Sequence, residues 1–218
     1  MTSRVPGAGR WRYLYLLIAL VVMLVAYPYA RGSGALGTAA VLIPFASIVA
    51  LASHRRHLAI AVALGIVTLG GIVQDAVGHV VLPVLAVEVS GLLFFGYTTI
   101  FVLWRVLGSE RVSGDILCGA IAVYLLIGLT WALGFGLLEY VHPGSYQVAT
   151  GGPRPASANE LLYFSYVTLA TLGYGDVVPV TDVARSLAVL ESLSGTIYLT
   201  ILVARLIGLH LAHVLPPR

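Results

Sequence analysis

The stretch TLATLGYGDVVP, Thr168 to Pro179, decides how this chain is read. It lies between two apolar segments, yet it sets Gly173, Tyr174, Gly175 and Asp176 in a row. Glycine inside a helix is less favourable than alanine by about 1 kcal/mol, so two within three residues argue against a regular membrane helix here. Working outward, ELLYFSYVTLATL from Glu160 to Leu172 is mainly apolar but short. A bilayer core of about 30 Å takes about 20 residues to cross, so this segment suits a re-entrant half-helix. Ser157 and Glu160 have the S-x-x-E spacing of a capping box, which predicts a helix start there and an end near Thr168 to Thr171. The irregular backbone that follows is tolerated at membrane depth only if it is buried in protein or lines a water-filled cavity.

Composition agrees with a membrane setting. Of 218 residues, 59% are hydrophobic and 10% charged, and the mean hydropathy is +0.98. That leaves too little polar surface to cover a soluble globule, so an integral membrane protein with the lipid bilayer as its partner is expected. The net charge of +3 rests on twelve basic residues, all arginine and scattered singly or in pairs. Without a basic stripe to track a phosphate backbone, no nucleic-acid partner is expected. Cys118 stands alone in an apolar segment, which excludes a disulfide framework and a CxxC metal site.

Six segments are long and apolar enough to span: Trp11 to Ala30, Ala35 to Ser53, Leu58 to Val77, Val80 to Leu107, Ile116 to Val141 and Val183 to Leu211. Cytoplasmic loops collect arginine. With the N-terminus inside, Arg4, Arg10, Arg12, Arg55, Arg56, Arg105, Arg111, Arg205 and Arg218 fall on the cytoplasmic side, and only Arg31, Arg154 and Arg185 outside. Both termini are therefore predicted cytoplasmic, in a multi-pass protein of the cell membrane, with the opening stretch on the external half of the last hairpin.

At this point the residues resemble a known family. Thr171-Leu172-Gly173-Tyr174-Gly175-Asp176 is similar to the potassium-channel selectivity filter, whose usual form is T-V-G-Y-G-D. The resemblance covers roughly Ile116 to Leu211, as outer helix, pore loop and inner helix; the four preceding spans match the six-span layout only in number and order. It implies an all-α membrane protein with six transmembrane helices and a re-entrant pore helix and filter loop between the fifth and sixth. Residues 1–110 would form a four-helix transmembrane unit and 111–218 the pore unit. The implied function is passive K+ conduction through a homotetrameric pore, with a weakly selective monovalent cation channel as the alternative, and with no cofactor beyond the permeant K+. By resemblance, the backbone carbonyls of Thr171, Leu172, Gly173 and Tyr174, with the Thr171 hydroxyl, would be the K+ ligands that replace its hydration shell. For successive carbonyls to point one way the backbone must visit conformations open to glycine, hence Gly173 and Gly175. Tyr174 would pack outward, Asp176 would sit at the external mouth, and the carbonyls near Thr168 at the pore helix C-terminus would favour a cation beneath the filter. Two departures stand out. Leu172 replaces valine, and Tyr163 and Phe164 stand where relatives carry a tryptophan pair, so Phe164 has no hydrogen bond to give Tyr174.

In the last span, Gly195 falls where relatives have a hinge glycine, and Thr196, Leu199, Val203 and Ile207 recur at three- to four-residue spacing. That face is expected to line the cavity, with Val203 and Ile207 as a hydrophobic constriction; the alternative is a helix contact through Gly195 and Ala204. Glu191, one turn above Gly195, reads as a buried carboxyl bonded to the back of the pore helix. A voltage sensor carries arginine at every third residue of its fourth span, where Arg105 stands alone and Glu88 lies in the outer half, so strong voltage gating is not expected. Asp75 and Glu88 are read as partners of arginines or polar groups on neighbouring spans, with an isolated polar group near an interface as the alternative for Asp75, and His54 and His57 as solvated. Too few residues follow His210 for a nucleotide-binding domain, so gating by one would need a separate protein.

An enzyme is not expected. In ESLSG, residues 191–195, Ser194 has a glycine neighbour as in intramembrane serine proteases, but His210 would lie roughly 24 Å along the same helix. A transporter would require paired broken helices, and only one short re-entrant segment is present.

Overall fold

The computed structural model describes residues 11–26, 35–51, 55–77, 83–109, 113–149 and 154–214. In chain order they form α1 (Arg12–Ala26), α2 (Ala35–Leu51), α3 (Arg55–Val77), α4 (Val84–Leu107), α5 (Gly114–Val141), β1 (Tyr146–Val148), β2 (Arg154–Pro155), α6 (Ala158–Leu169), β3 (Val177–Pro179) and α7 (Asp182–Val214). Local chemistry sets several of the ends. Ser113 caps α5 by accepting from the Ile116 amide at 3.3 Å, and α4 starts after Pro83 and stops at Gly108.

Among the described residues, three helices are long and apolar enough to cross a membrane: α4, α5 and α7 over Asp182–Gly208. At 1.5 Å per residue the 28-residue α5 reaches about 42 Å. The 15 residues of α1 reach about 22 Å. Of the six expected spans, the ends at 27–30, 52–53 and 80–82 lie outside the described residues, as do His54, Arg31 and Arg111.

The first five helices pack in a circuit, α1 on α2, α2 on α3, α3 on α4, α4 on α5 and α5 back on α1. Leu16, Leu20, Ile43, Leu51, Phe94, Val102 and Leu126 form its fully buried centre. Among apolar helices in lipid, such packing draws on van der Waals contact and close approach rather than on excluding water. A second cluster, with Phe135, Tyr146, Leu161 and Phe164 at its centre, joins α5 to α6 and β1.

The all-α expectation misses one feature. The residues between α5 and α6 carry β1 and β2, and β3 follows the glycine stretch; together they form an antiparallel sheet in the order β2-β1-β3. Strands of two and three residues are too short to leave an alternating pattern in sequence. His57 is a second correction. Instead of lying free in solvent it is half-buried, its Nδ1 2.5 Å from the Tyr97 hydroxyl and its ring against Phe101 at 4.9 Å. Asp75 lies in α3, in a part whose side chains are not described, whereas the Glu88 carboxylate approaches α5 at Gly136.

Candidate functional site

The segment from Thr171 to Asp176 hangs between two anchors. Its inner anchor is α6, whose start carries both halves of the capping box: the Ser157 hydroxyl accepts from the Glu160 amide, and Glu160 Oε2 accepts from the Ser157 amide at 2.9 Å. Arg154 adds a two-pronged ion pair to the same carboxylate. The Arg154 guanidinium first, then the Ser157 amide and hydroxyl, hold the Glu160 carboxyl well below the usual range, at about 2.

The helix ends in a Schellman turn. The Leu172 amide donates to the Val167 carbonyl at 2.9 Å and the Thr171 amide to the Thr168 carbonyl at 3.0 Å, across a C-cap at Ala170. This turn needs a left-handed residue at Thr171, and its φ is +57°. The carbonyls of Val167 and Thr168 are thereby occupied, and that of Leu169 accepts from the Tyr124 hydroxyl at 3.3 Å.

Beyond the turn, positive φ recurs at every second residue: Thr171 at +57°, Gly173 at +60° and Gly175 at +78°. In an extended chain successive carbonyls point to opposite sides. A change in the sign of φ at every second residue counters that reversal. The outer anchor is the sheet, where the Ala149 amide donates to the Asp176 carbonyl at 2.8 Å and β3 pairs with β1. The Asp176 carboxylate itself accepts from the Val177 amide at 3.1 Å.

Among the described residues, this segment is left open. Leu172 is 57% exposed and Tyr174 67%, and no heavy atom would lie within 4 Å of a Cβ on Gly173 or Gly175. Phe164 points elsewhere, packed against Phe135 and Tyr146 with ring centroids 5.4 and 5.5 Å away.

Helix α6 is held from behind by α5 and α7. The Tyr166 hydroxyl donates to the Leu125 carbonyl at 2.8 Å, and Gly128 leaves room for the Tyr166 ring, which an added Cβ would meet at 2.6 Å. Ser165 Oγ lies 2.6 Å from the Gly128 carbonyl and 2.5 Å from Glu191 Oε1. Glu191 is buried, as expected, with its carboxyl against the short helix α6. Gly195 belongs to this packed side as well, since an added Cβ would meet the Leu169 carbonyl oxygen at 2.7 Å. Thr196, Leu199, Val203 and Ile207 share the opposite, exposed side of α7. The sequence therefore groups Gly195 wrongly with the other four: it is a contact residue in an unbroken helix. Ser194 is tied into the same region, accepting from the Trp131 indole at 3.2 Å and donating to the Glu191 carbonyl at 2.7 Å.

Comparisons with known proteins point to the same region. Residues 116–209 match the ion channel family. The chain is 35% identical over 111 residues to Protein LctB of Bacillus caldotenax, covering 47% of this chain and 80% of that protein. It is 32% identical over 90 residues to two pore potassium channel c of Oryza sativa subsp. japonica, covering 41% of this chain and 19% of the relative. With the voltage-gated potassium channel Kch of Escherichia coli it shares 39% identity over 66 residues, 29% of this chain and 16% of Kch. The chain thus spans most of the first relative but a small part of the other two. No solved structure matches it.

Proposed function

The chain belongs to the potassium-channel family, and on that premise we propose that it conducts K+ passively and selectively through a pore built by four copies. Thr171 to Tyr174 supply the coordinating carbonyls, Thr171 adds its hydroxyl, Gly175 completes the alternation and Asp176 stands at the external mouth. The observation that carries this reading is the pairing of alternating positive φ with the uncovered Leu172 and Tyr174. A segment strung between two anchors, with its carbonyls turned one way and its apolar side chains bare, calls for further copies around a shared axis.

The remaining architecture follows. The chain crosses the cell membrane six times with both termini in the cytoplasm, in a unit over 1–110 and a pore unit over 111–218. Helix α6 enters and leaves on the external side, since its 12 residues reach only about 18 Å. Thr196, Leu199, Val203 and Ile207 line the inner cavity, with the last two as its narrow hydrophobic part. Gly195 supports the pore helix instead of lining the pore.

Purified protein in liposomes tests the reading through the flux of K+, Rb+ and Na+. Selective flux of K+ and Rb+ is expected. Equal flux of K+ and Na+ would favour the weakly selective cation pore, and no flux would refute conduction.

A further inference from the structure

Of the acidic side chains among the described residues, Glu191 alone is fully buried, and its hydrogen bonds do not close without an extra hydrogen. Ser165 Oγ sits 2.5 Å from Glu191 Oε1 and 2.6 Å from the carbonyl oxygen of Gly128. A serine hydroxyl has one hydrogen. Given to a carboxylate, that hydrogen leaves two oxygens facing each other at 2.6 Å with lone pairs only. Given to Gly128, it leaves an ionised carboxylate without a donor among the described residues, where Oε2 has no hydrogen-bond partner and no cation pairs with it. An ionised group so isolated is far less favourable than a neutral one. One more hydrogen, on the carboxyl, closes the arrangement: Glu191 donates to Ser165 Oγ, and Ser165 donates to Gly128.

We propose that Glu191 is a positioning residue for the filter, acting as a neutral carboxyl that donates through Ser165 to the Gly128 carbonyl and so ties α7, α6 and α5 at one point. This rests on the conduction reading above. Ser165 lies on the pore helix one turn before Leu169, the residue against which Gly195 of α7 packs, and two residues further on Thr171 begins the left-handed alternation. A pore helix released at Ser165 rotates or withdraws, and its terminal turn carries Thr171 with it. The role is a donor's, not a charge's. Buried away from the exposed side of α7, the carboxyl has no route to a permeating ion except through the helix it holds.

The test compares wild type, Glu191→Gln, Glu191→Leu and Ser165→Ala in liposomes, scoring K+ flux, K+ over Na+ preference and the assembled fraction of each protein. Glutamine keeps an N–H to donate to Ser165 Oγ, so it is expected to hold flux and preference within about twofold of wild type. Leucine at 191 and alanine at 165 break the relay and are expected to lower the K+ over Na+ preference by about tenfold in protein that still assembles. If those two variants fail to assemble, the glutamine variant decides alone: wild-type behaviour supports the relay and lost flux or preference overturns it. A leucine variant equal to wild type overturns it as well. A wild type without K+ flux removes the conduction reading and this inference with it, whereas a conducting wild type with an impaired glutamine variant removes the relay alone.

Discussion

At the scale of single residues, the handedness of the backbone between Thr171 and Gly175 is what the chemistry depends on. Holding an L-residue in the left-handed region costs about 1–2 kcal/mol, a penalty glycine escapes. Gly173→Ala is therefore expected to abolish K+ preference while membrane insertion is unchanged, and unaltered K+ over Na+ preference in reconstituted protein would refute the assignment. The two glycines announce this backbone in the sequence, because glycine enters it without a steric penalty. Thr171 does not. A Schellman turn favours glycine at its left-handed position, so threonine there hides the type of turn, although the helix end near Thr168 to Thr171 was legible. Glu160 was legible through its capping-box spacing, whereas its partner Arg154 lies across a turn that sequence spacing does not resolve. The Glu160 carboxyl is lowered from 4.5 to about 2, so its bonds stabilise the start of α6 fully above about pH 4.5. That contribution falls away as pH drops through 2. Amide exchange at 158–161 is expected to rise between pH 5 and pH 2 by these bonds' loss, and Glu160→Gln is expected to flatten that rise.

At the scale of elements, α6 is a short helix whose position is set by what touches its two ends and its back. The tight approaches at Gly128 and Gly195 are part of that, since an added methyl would meet the Tyr166 ring at 2.6 Å in one case and the Leu169 carbonyl oxygen at 2.7 Å in the other. Backbone gives way less easily than the end of a side chain. Gly195→Ala is thus expected to lower the thermal stability of the assembled protein by about 1–3 kcal/mol, measured as loss of the assembled peak on heating. No change would return Gly195 to a hinge or lining role. Helical periodicity made the exposed row Thr196, Leu199, Val203 and Ile207 legible. It misplaced Gly195 because neighbouring residues on a helix lie about 100° apart, so one step of phase separates a lining residue from a packed one. The sheet beside Thr171 to Asp176 was beyond such reading, since Tyr146–Val148 owes its strand to partners at 154–155 and 177–179.

At the scale of the whole molecule, hydropathy announced a membrane protein and its last hairpin, and three helices meet the length and apolarity of a span. The earlier helices were legible as apolar runs, but how they pack in a circuit depends on side chains such as Phe94 and Leu126 meeting across elements, which no single segment reveals. Arg105 is the basic residue in the last turn of α4. Each charge moved through the field is worth about 2.3 kcal/mol per 100 mV, so one such residue supports only a shallow voltage response. A conductance–voltage curve with several gating charges would contradict that. The most direct measurement of the central claim is a cryo-electron microscopy map of the protein in lipid nanodiscs with K+ present. Four copies around one axis, with ion density stacked between the carbonyls of Thr171 to Tyr174, is the predicted result. A map in which this segment faces lipid, or meets no shared axis, would contradict the account.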